Sequence, residues 1–346
     1  MSGSSLPYRL RPNKAVDREL FLSLLMRIAP KLGLEKYHYV SLGGPFLEDF
    51  RLVHSRIGIG RRRNGRTVGK LTCIESELEV HKRQRFNRPV ASIKCVHSTL
   101  EKFLDQTTFT APAIIWFDYT APKGIASQIQ RFAATVGTVP IGSVLRVTLN
   151  ANPTSLGGGS EEPSGKDLSV EVDGDVSADR AQRPTKVEWR FEQFKQRLGT
   201  LVPAGLTADA MTFKKYGPTL LQVLKLAVEK QALSFTDRRI VWALATHYAD
   251  DQPMVTAALA LVPREDTVTK RLIVGWEFYS TPDTPHRIEL PALSSLERLT
   301  MESNNSAHKK LGFDLTKVIE SKLGIDPLEV FKKFYRLYPH FSRVEL

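Results

Sequence analysis

The stretch YHYVSLGGPFLEDF, residues 37–50, decides the fold of this chain. Its first six residues form an apolar run of the length of a strand, and Gly43, Gly44 and Pro45 follow shortly afterwards. Glycine at a strand end lets a ligand approach the backbone closely, because it has no side chain. The turn is therefore either a cofactor-binding turn or a simple structural turn, and the neighbouring segments must discriminate between them.

The order of apolar run, turn and helical stretch recurs up to residue 150. The apolar runs are residues 37–42, 70–75, 92–98, 113–119 and 142–149. The helical stretches between them are residues 76–87, 99–106 and 124–136. A helical stripe at 15–32 precedes the first run, and Gly33 is its predicted C-cap. Strands that alternate with helices favour a parallel sheet with helices on both faces.

The chain changes character after residue 150. Residues 151–186 are rich in Gly, Ser, Pro and acids, which is typical of a flexible, exposed insertion. Residues 187–235 have helical patterns, and KKYGP at 214–218 is a predicted break. Antiparallel strands that continue the sheet are predicted at 238–249, 253–262 and 270–280.

The tail contains two helical segments that each open with an aspartate, a common N-cap. Together these patterns predict the fold class. It is α/β: a doubly wound, mainly parallel sheet with a late antiparallel hairpin, plus a helical insertion and C-terminal helices.

Composition excludes several classes of protein. No run approaches the roughly 18 apolar residues that a membrane span needs, and the first twenty residues lack the apolar centre of a secretory signal. We therefore expect a cytoplasmic protein without membrane partners. Cys73 and Cys95 both lie in strand-like runs, so we expect buried, reduced thiols and no metal site.

Positive charge is concentrated in one segment of a chain whose formal net charge is +12. Residues 51–94 contain twelve Lys and Arg against three acids. Such a concentration favours a polyanionic partner, and a solvated loop is the alternative. The candidate nucleic-acid-binding residues are Arg61, Arg62, Arg63, Arg66, Lys82, Arg83 and Arg85.

Polar residues stand where the predicted parallel strands end. Ligands of open α/β sheets bind beyond these carboxyl ends. Glu75 ends the second run, and an acid there can accept both hydroxyls of an adenosyl ribose. Asp118 and Tyr119 end the fourth run. Alternatively, Glu75 serves the following helix as an N-terminal acid, and Asp118 is a turn or cap residue.

This constellation resembles the class I S-adenosylmethionine-dependent methyltransferases over about residues 10–150. In that family the glycine turn lies along the methionine part of the cofactor, and the acid after the second strand holds the ribose. The end of the third strand faces the adenine, and a segment before the first helix closes over the cofactor. By position, the resemblance assigns cofactor binding to Asn13, Lys14, Leu42, Gly43, Gly44, Glu75, Ser76, Ser98 and Thr99.

The end of the fourth strand faces the substrate in that family. The resemblance therefore implies that Asp118 and Tyr119 are catalytic: Asp118 would accept a hydrogen bond or a proton, and Tyr119 would stack on a planar acceptor. The chain differs from the family pattern at its first strand, where Ser41 and Gly-Gly-Pro replace an acid and Gly-x-Gly.

The resemblance also implies a division of the chain. Residues 1–150 form a Rossmann-like cofactor-binding core, and the rest supports or extends it. The later parts are a flexible insertion at 151–186, a helical insertion at 187–235, strands that complete the sheet at 236–285 and a C-terminal helical segment at 286–346.

The leading hypothesis is a methyltransferase that uses S-adenosylmethionine on a large or polyanionic substrate, RNA or DNA. The second is a methyltransferase-like module that binds nucleic acid or a partner protein without catalysis, which the altered glycine turn favours. A nicotinamide-dependent oxidoreductase is a third, and the missing GxGxxG argues against it. Methylation of a small molecule stays open, and the oligomeric state is not predicted.

Overall fold

The structure is a computed structural model, which describes residues 11–157, 184–303, 311–319, 321 and 323–338. Ten strands are present in this part of the chain. They are β1 (His38–Ser41), β2 (Arg61–Arg63), β3 (Arg66–Val68), β4 (Lys70–Glu75), β5 (Ile93–His97), β6 (Ala113–Asp118), β7 (Val144–Asn150), β8 (Arg238–Ala249), β9 (Pro253–Pro263) and β10 (His286–Ile288).

Eight of these strands form one sheet in the order β10-β8-β9-β7-β6-β1-β4-β5, while β2 and β3 form a separate hairpin. Strands β5, β4, β1, β6 and β7 are parallel to one another, and β9 is antiparallel to both β7 and β8. The chain runs outward from β1 in one direction, to β4 and β5, and then in the other, to β6 and β7. The switch point therefore lies at the carboxyl end of β1, where open sheets bind their ligands.

Helices cover both faces of the sheet. In the described residues they are α1 (Pro12–Leu32), α2 (Glu48–Arg56), α3 (Leu78–Asn87), α4 (Leu100–Asp105), α5 (Ile125–Thr138), α6 (Lys186–Leu198), α7 (Phe213–Ala232), α8 (Thr267–Val274), α9 (Ser295–Ser303), α10 (Leu315–Val318) and α11 (Pro327–Phe334). One large apolar cluster joins α1 and α2 to the sheet, and a second joins α5, α6 and α7 to its other face. The predicted α/β fold class is thus confirmed.

The predicted capping residues lie at the ends of their helices. Gly33 ends α1 with φ 66° and ψ 44°, the left-handed conformation that glycine adopts without strain. Asp314 and Asp326 cap α10 and α11 through their side chains, and Pro327 occupies the first position of α11. No helix in the described ranges is long and apolar enough to cross a membrane.

Two predictions about the second half of the chain are wrong. The predicted strand at 270–280 is mostly the helix α8 and the turn after it, because Asp266 caps α8 through the Thr269 N–H and Ile273 buries against α1. The predicted break at 214–218 lies inside α7, which continues through Pro218. A proline inside a helix costs roughly 3 kcal/mol, and burial of leucines such as Leu220 and Leu224 offsets this cost.

Two further elements were not predicted. The arginine-rich excursion after α2, expected to be a loop, is the β2–β3 hairpin, and β10 adds an eighth strand parallel to β8.

Most of the insertion predicted at 151–186 lies outside the described residues. Its first part is a short 3-10 helix, Pro153–Leu156, which begins at an Asn152 cap.

Candidate active site

The glycine turn at the carboxyl end of β1 has an unusual backbone. Gly43 and Gly44 have φ angles of 67° and 55°, and the Gly44 N–H donates to the Leu42 carbonyl over 2.9 Å, which closes a three-residue turn. A Cβ on Gly43 would lie 2.7 Å from Phe50 Cε2 and 3.0 Å from Cys73 Sγ. Conformation and packing therefore both require glycine at position 43.

Helix α3 holds this turn in place. The Gln84 side chain is fully buried, and its amide donates to the carbonyls of Leu42 and Gly44, each over 3.1 Å. Asn87 Nδ2 donates to the Pro45 carbonyl over 2.8 Å. Gln84 was not predicted as a site residue, because a glutamine in a basic helix has no sequence signal for a contact 40 residues away.

Glu75 lies at the carboxyl end of β4, next to the turn. Its Oε1 accepts the Glu77 N–H over 2.9 Å, so one predicted alternative, a role at the start of α3, is present. The side chain is half-buried, and within the described residues this is its one hydrogen bond. The carboxylate thus retains acceptor capacity toward a ligand.

The predicted adenine-facing residues lie beside Glu75. The Ser98 N–H donates to the Glu75 carbonyl over 2.9 Å, and His97 Nε2 donates to the Ser76 carbonyl over 2.9 Å. Thr99 caps α4 by accepting the Lys102 N–H. The structure therefore brings Glu75, Ser76 and Ser98 together, while the Thr99 side chain is used in helix capping.

Asp118, at the carboxyl end of β6, is buried and paired with Lys14. Lys14 Nζ donates to Asp118 Oδ2 over 3.2 Å, and both side chains are almost fully buried. Burial raises the pKa of Asp118, but the charge of Lys14 and its hydrogen bond outweigh burial, so the pKa lies below its usual value. Asp118 is therefore a carboxylate at neutral pH.

The start of α1 is hydrogen-bonded to the residues at the end of β8. The backbone N–H groups of Asn13 and Lys14 donate to the Asp250 carboxylate, each over 3.1 Å, and Asn13 Nδ2 donates to the Ala249 carbonyl over 2.7 Å. The Asn13 Oδ1 atom accepts the Leu290 N–H. Asn13, predicted to contact the cofactor, thus connects three segments and positions Lys14.

Tyr119 lies on the opposite face of the sheet from Asp118. Its ring packs on Phe117 within the cluster around α5, and its hydroxyl donates to Glu101 Oε1 over 3.0 Å. Adjacent residues at a strand end point to opposite faces. The structure therefore does not bring Tyr119 together with Asp118 and Lys14.

A second group of buried charges, which was not predicted from the sequence, lies behind the glycine turn. Arg18 Nη1 donates to Glu48 Oε2 over 3.0 Å, and the Tyr39 hydroxyl donates to Asp49 Oδ2 over 2.8 Å. Burial raises the pKa of Asp49. Two signals could have found this group: Glu48 and Asp49 directly follow the turn, and Arg18 lies one helical turn after Lys14.

The predicted nucleic-acid-binding residues separate into two groups. Lys82, Arg83 and Arg85 are exposed on α3, beside the carboxyl ends of the strands. Arg61, Arg62, Arg63 and Arg66 lie on the β2–β3 hairpin, which leads into the amino end of β4. Among the described residues no group of His, Cys, Asp or Glu could hold a metal ion.

The fold and the site together define the class of this protein. The order of the parallel strands reverses at β1, and β9 lies antiparallel between β7 and β8. This is the arrangement of the class I S-adenosylmethionine-dependent methyltransferases. A family model described as "Putative O-methyltransferase" matches residues 6–346, and the chain belongs to this family. It is thus a methyltransferase that uses S-adenosylmethionine. A search of curated proteins gave no match.

Several solved structures are similar to this chain. Trm1 from Pyrococcus horikoshii with S-adenosyl-L-methionine is 11% identical, with a TM-score of 0.43 over 75% of this chain and 56% of that chain. Cofactor-bound Rv0187 from MTB is 11% identical, with a TM-score of 0.35 over 70% of this chain and 79% of that chain. An rRNA methylase from Streptococcus thermophilus is 8% identical, with a TM-score of 0.32 over 71% of this chain and 94% of that chain.

The residues at the switch point fit the cofactor. The half-buried Glu75 carboxylate has acceptor capacity for a ribose diol, and Gly43 and Gly44 present backbone without side chains. When bound, S-adenosylmethionine supplies an electrophilic methyl group. Among the residues of the chain itself, Lys14 holds the Asp118 carboxylate in its ionised form.

Proposed function

We propose that this enzyme transfers a methyl group from S-adenosylmethionine to an oxygen atom of a nucleic acid. The family description favours an oxygen acceptor. Methyl transfer requires mainly that the acceptor be aligned with the reactive methyl group. An ionised Asp118 suits this task, because a carboxylate accepts a hydrogen bond from an acceptor hydroxyl and fixes its direction.

The contact between Arg83 and Phe46 carries the proposal for a nucleic-acid substrate. The Arg83 guanidinium lies 4.8 Å from the centre of the Phe46 ring, and Phe46 belongs to the loop that contains the glycine turn. The basic face of α3 therefore adjoins the cofactor edge. The neighbouring Phe86 is 90% exposed, and an exposed aromatic ring among basic side chains suits stacking of a base beside phosphate contacts.

Calorimetric titration with S-adenosylmethionine tests the cofactor site. We expect Glu75→Gln to weaken binding by about 10-fold or more, because a charge-assisted hydrogen bond contributes about 1.5–3 kcal/mol. The exposed Glu79→Gln on the next helix changes the charge equally and serves as the matched control. Equal affinity of the two variants for S-adenosylmethionine would show that Glu75 does not bind the cofactor.

Transfer of a radiolabelled methyl group to total RNA, DNA and small-molecule extracts tests the acceptor. We expect label in a fraction that nucleases solubilise. Label in the small-molecule fraction alone would overturn the nucleic-acid proposal and keep the methyltransferase. Nucleic-acid binding without binding of S-adenosylmethionine would instead support the non-catalytic binding module.

A further inference from the structure

The β2–β3 hairpin, residues 61–68, is a strongly charged surface that the site does not use. Its strands pair Arg61 with Val68, Arg62 with Thr67 and Arg63 with Arg66. The turn residues Asn64 and Gly65 have φ angles of 49° and 76°, which is typical of a tight two-residue hairpin. Residues 61–67 are all exposed, so the four arginines face solvent.

This arrangement does not stabilise the hairpin by itself. Arg63 lies directly opposite Arg66, and like charges in opposed positions are destabilising. Arg61 donates to the Ser55 carbonyl, whereas Arg62, Arg63 and Arg66 make no hydrogen bond or ion pair within the described residues. A bound polyanion would supply the missing negative charge.

Two lysines near the hairpin add to its positive charge. Lys70, at the start of β4, and Lys94, on β5, are both exposed. Burial and these two positive charges lower the pKa of the nearby His38 to about 4. A groove of about 570 Å³ lies beside the hairpin, and Arg61 and Arg62 line one part of it.

The hairpin lies at the amino ends of the parallel strands, and the methyl-transfer site lies at their carboxyl ends. The hairpin leads into Lys70 at the amino end of β4, and Glu75 lies at the carboxyl end of the same strand. Six residues at about 3.3 Å each span roughly 20 Å. A strand stacked as in a duplex, with about 3.4 Å per nucleotide, covers this distance in roughly six nucleotides.

We propose that the β2–β3 hairpin is a second nucleic-acid-binding surface, which contacts the phosphates of the substrate about 20 Å from the site of methyl transfer. This inference rests on the proposed function for the identity of the substrate. The hairpin anchors one part of the nucleic acid while another part reaches Asp118. Oligonucleotides that are too short to span both edges bind through one surface only.

Salt-dependent binding of labelled 20-nucleotide single-stranded RNA and DNA tests the proposal. The variant Arg62→Gln/Arg63→Gln/Arg66→Gln removes three charges. We expect the slope of log affinity against log salt to become shallower by about 2, since each phosphate contact to a single strand contributes about 0.7. The variant Lys230→Gln/Lys270→Gln/Arg271→Gln removes three exposed charges elsewhere and should keep the wild-type slope.

An unchanged slope in the hairpin variant, or an equal change in both variants, would overturn the proposal. Binding is measured without S-adenosylmethionine, so it does not depend on turnover. Failure of methyl transfer to nucleic acid with intact hairpin binding would contradict the proposed function alone.

Discussion

Lys14 Nζ lies 3.2 Å from Asp118 Oδ2, and the two residues are 104 positions apart in the chain. One stands at the start of α1 and the other at the end of β6. The pair forms because Asp250 holds the start of α1 against the sheet edge. A charged contact this deeply buried links the folding of the sheet to the geometry of the candidate active site.

This pair predicts strong coupling in a double-mutant cycle. Removing one partner of a buried ion pair leaves an uncompensated charge, so Lys14→Met or Asp118→Leu should each lower the free energy of unfolding by about 3–5 kcal/mol. The double variant should lose much less than the sum. Urea unfolding of the four proteins measures the coupling, and additive losses would show that the two side chains do not interact.

Gly43→Ala should destabilise the protein more than Gly65→Ala. Both glycines have similar φ angles, 67° and 76°, so both substitutions introduce similar backbone strain. A Cβ at Gly65 meets nothing within 4 Å, whereas at Gly43 it meets Phe50 at 2.7 Å. We expect an additional loss of about 1–3 kcal/mol at position 43, measured by denaturant unfolding. Equal losses would show that the turn adapts to a methyl group.

Gln84→Leu should weaken cofactor binding without any change of charge. The substitution removes the amide that donates to the carbonyls of Leu42 and Gly44, which costs about 0.5–1.5 kcal/mol for each hydrogen bond lost. The glycine turn then loses its fixed shape. Calorimetry with S-adenosylmethionine gives the result, and Arg85→Gln, on the exposed side of α3, is the control. If Gln84→Leu bound S-adenosylmethionine as tightly as the wild type, the hydrogen bonds of Gln84 to the glycine turn would not contribute to cofactor binding.

His247 should make the stability sensitive to acid. It is buried in β8 against Gly217, and burial together with the charge of Arg287 lowers its pKa from 6.5 to about 4. Below pH 6.5 the unfolded chain takes up a proton that the folded protein takes up only near pH 4. Stability present above pH 6.5 is therefore lost as the pH falls toward 4.

The variant His247→Leu should flatten this dependence. One proton fewer corresponds to about 1.4 kcal/mol per pH unit in the slope of unfolding free energy between pH 6.5 and 4. Urea unfolding at several pH values measures the slope. His38 and His286 also have lowered pKa values, so part of the acid sensitivity should persist. An unchanged slope in His247→Leu would assign the acid sensitivity to other groups.

Local patterns in the sequence were enough to predict the strands β1, β4, β5, β6 and β7. Each is a short apolar run bounded by turns, and this signal depends only on neighbouring residues. The strand ends then indicated Glu75 and Asp118, because parallel strands bring their carboxyl ends to one edge. The same kind of signal failed at 270–280, where an apolar run suits a strand or a helix equally and the Asp266 cap decided for α8.

Contacts between distant segments were decided by the tertiary structure alone. No local pattern could show that Gln84 holds the glycine turn or that Tyr119 turns away from Asp118. The basic runs at 61–66 and 82–85 are close in sequence. The six-residue strand β4 and the helix α3 nevertheless place them at opposite ends of the parallel strands. Side-chain chemistry is therefore readable from sequence, but direction and distance depend on how the elements pack.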